Sequence, residues 1–117
     1  MHIEVKQDKV ELQNSLIANI QQHLSADLAR FDRMIRRVCV KIADINGPHG
    51  GEDKSCRIQV YLKRTSSVVI EERGASVLSV VGRAIDRVDM AMLRMADHLK
   101  MRHRHKARIS SHSPHGA

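Results

Sequence analysis

Residues 45–56, which read INGPHGGEDKSC, bring together the side chains that carry much of protein chemistry. A histidine, a cysteine, two acids and a lysine lie among glycines and a proline. This composition fits a loop that cradles phosphate, a metal site, or the connection of a hairpin. The three alternatives predict three different classes of protein.

The phosphate alternative is weakened by one residue. A P-loop needs the pattern G-x-x-x-x-G-K-[ST], and Gly47 together with Lys54 and Ser55 resembles part of it. Asp53 stands where the second glycine belongs, and its carboxylate would repel phosphate and block the close approach of the backbone. We therefore expect neither nucleotide binding nor a small-molecule substrate.

The metal alternative lacks ligands. Cys56 and His49 would need two more, for which Glu52 and Asp53 are the nearest acids. The chain has no C-x-x-C and no H-E-x-x-H pattern, and strand alternation puts Cys39 on the opposite sheet face from Cys56. We expect no metal, no cofactor and two free thiols.

Length and composition indicate one folded domain. A chain of 117 residues has room for a single modest core, and two cysteines are too few for a disulfide-stapled secreted domain. No apolar run approaches a membrane span, and the first residues, MHIEVKQDKVEL, contain no signal-peptide core. We expect a cytoplasmic protein that does not bind membranes.

The positive charge is concentrated in two segments. The net charge is +7, and residues 33–64 and residues 82–117 each carry eight Lys and Arg against three acids. A small domain with this distribution is typical of proteins that bind a polyanion such as nucleic acid. The alternative is an ordinary solvated surface.

The hydrophobic periodicity predicts an α+β fold, a single domain of order β-α-β-β-β-α. A strand–helix–strand start makes the first two strands parallel, and the later strands return as hairpins, which gives a mixed four-stranded sheet. Each helix has one apolar stripe, so both helices should cover one sheet face. The predicted elements are a strand at 2–12, a helix at 14–32, strands at 36–45, 56–64 and 67–72, and a helix at 76–106. The domain should span 1–108, and residues 109–117 should be a disordered tail.

The other sheet face should be polar. Alternation assigns to it Glu4, Lys6, Arg37, Lys41, Arg57 and Lys63. The first helix should be capped by Asn14 or Ser15. The stripe that the last helix buries is predicted to be Val77, Val81, Ala84, Ile85, Val88, Met92, Met95 and Leu99.

Three arginines of the last helix share a face. At about 100° per residue, Arg83, Arg87 and Arg94 fall within a narrow sector about 130° from the centre of the apolar stripe. Lys100 and Arg102 extend the charge beyond the last core residue. Such a row suits forked hydrogen bonds to phosphates; the alternative is a solvated face paired with Asp86, Asp89 and Asp97.

The third alternative for residues 45–56 is a long loop between two alternating strands, and there a family resemblance appears. ADINGPHGGEDKSCRIQVYL resembles the hairpin of ribosome hibernation-promoting factors and ribosome-associated inhibitors, whose loop often reads D-x-N-G-P-x-G-G-x-D-K-x-C. The matching residues are Asp44, Asn46, Gly47, Pro48, Gly50, Gly51, Asp53, Lys54 and Cys56. His49 departs from the basic residue that is usual there. The segment VGRAIDRVDMAMLR also looks like a helix of that family.

The resemblance implies a factor of the short form that binds the small ribosomal subunit and its rRNA near the decoding centre and silences idle ribosomes. With only two aromatic residues, Phe31 and Tyr61, recognition of phosphates and RNA shape is favoured over base stacking. A monomer in solution is expected. The candidate rRNA-binding residues are Arg83, Arg87, Arg94, Lys100, Arg102, Lys54, Arg57, Lys41 and Arg37.

Two other classes of function remain open. One is a regulatory module that binds a protein, such as a modulator of a transcription factor. The other is an enzyme, a metal nuclease built on residues 45–56. Because no Ser/His/Asp set and no paired carboxylates in a pocket-forming context are visible, we do not expect catalysis.

Overall fold

The computed structural model describes residues 1–45 and 54–112, with side chains described through residue 100. The predicted order β-α-β-β-β-α is confirmed. The elements are β1 (His2–Asp8), α1 (Asn14–Leu28), a 3-10 segment (Ala29–Met34), β2 (Ile35–Asp44), β3 (Lys54–Leu62), β4 (Val68–Gly74) and α2 (Val77–His112).

The four strands form one mixed sheet in the order β1-β2-β3-β4. β1 runs parallel to β2, while β3 is antiparallel to both of its neighbours. Alternation sets the two faces, since Val40, Ile42 and Ile58 are buried whereas Lys41 and Arg57 are exposed. The hydrophobic core lies between the buried face and the two helices.

The first strand and the first helix are shorter than predicted. β1 ends at Asp8 because Lys9 has φ 56°, a left-handed conformation that interrupts an extended chain. α1 begins after Gln13, which caps it without a side-chain hydrogen bond, so the predicted Asn14 or Ser15 cap is wrong. The helix gives way at Ala29 to the 3-10 segment, which still buries Phe31.

α2 begins where the sequence predicts. The Ser76 carbonyl accepts the Val80 amide at 3.0 Å, and its hydroxyl accepts the Ser79 amide at 3.5 Å. Val80 is buried against the sheet although the predicted stripe omitted it, whereas Val77, Met95 and Leu99 are only half-buried. Compared with the predicted stripe, the buried stripe therefore gains Val80 near the start of α2 and loses Val77, Met95 and Leu99.

The backbone of α2 continues to His112, which includes the first residues of the predicted tail. The behaviour of residues 109–117 stays a prediction. Within residues 1–45 and 54–112, no helix is long and apolar enough to cross a membrane.

Candidate nucleic-acid interface

The sheet face that the helices leave open carries a lateral row of cations, which we call the cationic row: Lys6, Lys41 and Arg57. Lys6 of β1 pairs in register with Lys41 of β2, which pairs with Arg57 of β3. Residues that pair across strands share a face, and neighbouring strands lie about 4.8 Å apart. The row therefore places three positive charges side by side on an uncovered surface.

The acids beside the cationic row neutralise it weakly. Lys6 Nζ lies 3.9 Å from Glu4 Oε1, and Lys41 Nζ lies 3.9 Å from Asp8 Oδ2, both at the outer limit of an ion pair and both exposed. Like charges directly opposite each other destabilise a sheet, and loose surface pairs contribute little in return. A third acid, Glu71 of β4, is the register partner of Arg57. Lys6 and Lys41 therefore face each other as like charges, while Arg57 lies between Lys41 and Glu71.

The row borders a shallow depression of about 240 Å³. Its remaining lining is Cys39 and Gln59, a pair that faces each other across β2 and β3. The depression offers donors from the three cations and from the Gln59 amide. Its chemistry therefore suits phosphate oxygens.

A β-bulge extends the charge towards the start of β2. Ile35 pairs with Leu62 and Arg37 with Tyr61, so Arg36 is an extra residue on β2. The Arg37 guanidinium lies 4.1 Å from the centroid of the Tyr61 ring, a cation–π contact. Sequence reasoning missed exposed Arg36, although the adjacent pair of arginines interrupting the alternation was the available signal.

Arg83 and Arg87 are exposed, but they do not form a free row. Arg83 Nε donates to Glu72 Oε1 at 3.1 Å and Arg83 Nη2 donates to the Arg73 carbonyl at 2.6 Å. Arg87 Nη1 donates to Glu72 Oε2 and, at 3.1 Å, to the Glu71 carbonyl. Together the two side chains fasten α2 to the edge strand β4.

Glu72 is the centre of this contact. It pairs in register with buried Cys56, so it faces the helix side of the sheet. The hydrogen bonds from Arg87 and Arg83 lower the pKa of the Glu72 carboxyl because they favour its charged form. The predicted arginine row is thus partly a structural element.

The rest of the predicted helix row has fewer contacts. Arg94 and Lys100 are exposed, and within the described side chains neither takes part in an ion pair or hydrogen bond. Asp89, a predicted alternative partner of the row, pairs with Arg30 at 2.9 Å instead. The side chain of Arg102 lies outside the described residues.

Lys54 stands at the base of the hairpin. Its Nζ lies 3.1 Å from Asp44 Oδ2, its register partner, and both side chains are mostly buried. This geometry closes the two strands where the loop begins, so Lys54 is less available to a ligand than Arg57. Residues 46–53, including His49, Glu52 and Asp53, lie outside the described residues.

The two cysteines lie on opposite sheet faces, as the alternation predicts. Cys56 is buried, and burial followed by the nearby Glu72 charge raises the pKa of its thiol to about 12. Cys39 is half-buried on the open face, and both thiols are free. Within the described residues, no three His, Cys, Asp or Glu side chains are grouped as a metal site would require; the absence of a metal stays a prediction.

No protein-family model matches the chain, and no curated protein matches it. Solved structures do match the chain. The N-terminal domain of Protein Y from Thermus thermophilus is 22% identical with a TM-score of 0.58, over 81% of this chain and 99% of that one. A ribosomal subunit interface protein from Coxiella burnetii is 15% identical with a TM-score of 0.70, over 83% and 99%. The resemblance that the hairpin sequence indicated is therefore confirmed at the level of the fold, which this chain shares with Protein Y and a ribosomal subunit interface protein.

Proposed function

We propose that the protein binds the small ribosomal subunit through its rRNA, near the decoding centre, and silences idle ribosomes. The observation that carries this proposal is the cationic row on the open sheet face. The fold that presents this row is shared with the N-terminal domain of Protein Y and with a ribosomal subunit interface protein. The hairpin sequence of residues 44–56 supports the same function. Binding would take place in the cytoplasm and by a monomer.

The chemistry of binding follows from the side chains of the open face. Three cations on adjacent strands span about 10 Å, and Arg57 and Arg37 present planar guanidinium groups that match phosphate oxygens. The Tyr61 ring is covered by Arg37, so it does not serve as a stacking platform for bases. Recognition therefore rests on the phosphate positions of a folded RNA rather than on its sequence.

The helix side contributes a second group of cations. Arg94 and Lys100 extend from α2 without partners among the described side chains, while Arg83 and Arg87 hold the helix in place through Glu72. We assign direct RNA contact to Arg94 and Lys100, together with Arg102. Arg83 and Arg87 act mainly by positioning them.

Inhibition by this mechanism needs no catalysis. A protein that occupies the path of mRNA and tRNA on the small subunit blocks initiation by exclusion. The degree of inhibition then follows the fraction of small subunits that carry the protein, and added mRNA with initiator tRNA should reverse it by competition.

The test is sedimentation with purified ribosomal subunits, combined with translation of a reporter mRNA. We expect the protein to pellet with small subunits and not with large subunits, and to inhibit translation at concentrations that saturate pelleting. Pelleting with neither subunit, or equal pelleting with both, would contradict the proposal. Saturated binding that leaves reporter synthesis unchanged would contradict the inhibitory role.

A further inference from the structure

A separate groove of about 410 Å³ lies at the end of the sheet, away from the cationic row. It is bounded by the end of the 3-10 segment, the end of β3 and one residue of α2. The groove exists because α2 continues beyond the last residue of β3 and leaves an open corner between helix and sheet. Its lining residues are Arg33, Met34, Leu62, Lys63, Arg64, Thr65 and Leu99.

The walls of this groove are held in place by the fold. The Lys63 amide donates to the Met34 carbonyl at 2.9 Å, which ties the end of β3 to the segment before β2. Leu62 belongs to the buried core, while Met34 and Leu99 are half-buried. The apolar floor therefore exists before any ligand arrives.

The rim of the groove is positive. Arg33, Lys63 and Arg64 are exposed, and within the described side chains none of the three forms an ion pair or a side-chain hydrogen bond. No acid is among the lining residues. An occupant with an apolar face and a negative charge complements both parts of the groove.

We propose that this groove holds one unstacked nucleotide of single-stranded RNA. The base packs on Met34, Leu62 and Leu99 and stacks on the guanidinium plane of a rim arginine, one of the two kinds of surface on which RNA-binding proteins stack unpaired bases. The flanking phosphates contact the cations of the rim. This inference rests on the proposed function, because it names a single-stranded part of the RNA that the protein would bind.

The position of the groove favours RNA over an isolated anion. Leu99 is followed directly by Lys100, which is exposed on α2. A strand that leaves the groove along α2 therefore meets further positive charge. A double helix cannot place a base against the floor without unpairing it.

The experiment measures binding of fluorescein-labelled eight-nucleotide single strands of uridine or adenosine by anisotropy at several salt concentrations. Leu99→Ser removes part of the apolar floor and keeps every charge. Its matched control is Leu93→Ser, a leucine of α2 that is exposed and lies outside the groove. Arg64→Gln removes one rim charge, and Lys9→Gln removes an exposed charge elsewhere.

Leu99→Ser should weaken binding about fivefold, as expected for lost apolar contact, without changing the slope of log affinity against log salt. Arg64→Gln should reduce that slope by about 0.7. Both control variants should bind like the wild type. Unlabelled duplex RNA and an oligoglutamate peptide should compete at least tenfold less well than the unlabelled single strand.

Equal binding by Leu99→Ser and Leu93→Ser would overturn the proposal, as would equal competition by duplex RNA or by oligoglutamate. These results are independent of the ribosome assay. If small-subunit pelleting persists while the oligonucleotide shows no dependence on the groove, the groove proposal fails and the proposed function stands. If the oligonucleotide depends on the groove but the protein pellets with neither subunit, the proposed function fails instead.

Discussion

Two glycine-to-alanine substitutions on either side of the β4–α2 connection should have opposite effects on stability. A Cβ added at Gly74 would lie 2.8 Å from both Val80 Cγ2 and Arg83 Nη2, whereas one added at Gly82 meets nothing within 4 Å. Gly74 lies where α2 packs on the edge strand, and Gly82 lies within α2. The comparison therefore tests how the helix that carries Arg94 and Leu99 is fixed to the sheet.

The magnitude follows from these contacts. Ordinary contact begins at 3.4 Å, so both neighbours of a new Cβ at Gly74 must retreat by about 0.6 Å. Arg83 can move only by disturbing its 2.6 Å hydrogen bond to the Arg73 carbonyl. Val80 is 1% exposed and β-branched, so its rotamer is fixed in a helix and the backbone has to shift.

Overpacking of this kind costs about 1–3 kcal/mol. Changing glycine to alanine also lowers the conformational entropy of the unfolded chain, which stabilises the folded protein by about 0.4–1 kcal/mol and offsets part of this cost. We therefore expect Gly74→Ala to lower the free energy of unfolding by about 1.3 kcal/mol, the difference between the midpoints of the two ranges, and by at most about 2.6 kcal/mol. At about 4 °C per kcal/mol, the midpoint corresponds to a fall in Tm of about 5 °C.

Gly82→Ala should raise the free energy of unfolding by about 0.5–1 kcal/mol, because alanine is the better helix former and the site has room. Both variants are measured by urea denaturation followed by far-ultraviolet circular dichroism, since the chain has no tryptophan. Val80→Ala in the Gly74→Ala background provides the internal control, and its cost should be smaller than in the wild type. If Gly74→Ala stabilises the protein as much as Gly82→Ala does, the packing described at this connection is wrong.

Three further predictions concern other parts of the molecule. Because folding lowers the pKa of Glu72, its contribution to stability is present above the ordinary pKa range of glutamate and is lost as pH falls through the folded-state pKa. The Tm of the wild type should therefore fall more on acidification from pH 7 to about pH 3 than the Tm of Glu72→Gln. Parallel curves of Tm against pH would contradict this. With a thiol pKa of about 12 and a buried side chain, Cys56 should not react with a thiol reagent at pH 8 in the native protein, while half-buried Cys39 should; two reactive thiols per native chain would be the opposite result. Deletion of residues 109–117 should leave Tm and small-subunit affinity unchanged, since the segment has no apolar periodicity, and a large fall in either would show that the tail docks.

Much of the fold was predictable because its signals are local. Alternation in β2 and β3 assigned Lys41 and Arg57 to the open face correctly, since period two depends only on neighbouring residues. The cationic row itself needed more information. Lys6 lies beside Lys41 only because β1 pairs in one particular register, and two short alternating strands do not specify that register by sequence alone.

The arginines of α2 illustrate the same limit. The helical angle predicted correctly that Arg83 and Arg87 share a sector, and it contained no information about the strand that faces them. Glu72 lies on the helix side of the edge strand, where the helix does not cover it fully. A carboxylate at that edge attracts the two nearest cations, and this partner depends on tertiary packing.

The groove could not be predicted from periodicity. It is made by residues that are far apart in sequence, from Arg33 to Leu99, and it depends on α2 being longer than the sheet it covers. Leu99 was predicted as a core residue because its helical spacing is correct. The strands beneath it have ended, so it is half-buried at the wall of an open groove instead.

The salt dependence of small-subunit binding tests the central claim most directly. Lys6→Gln, Lys41→Gln and Arg57→Gln are combined in one chain, and the control combines Lys9→Gln, Arg30→Gln and Arg73→Gln, which removes the same charge outside the cationic row. Both chains are first shown to melt cooperatively. If the row contacts rRNA phosphates, its variant should bind far more weakly with a slope of log affinity against log salt reduced by about two, and the control should lose much less. A folded row variant that keeps the affinity and salt slope of the wild type would contradict the account.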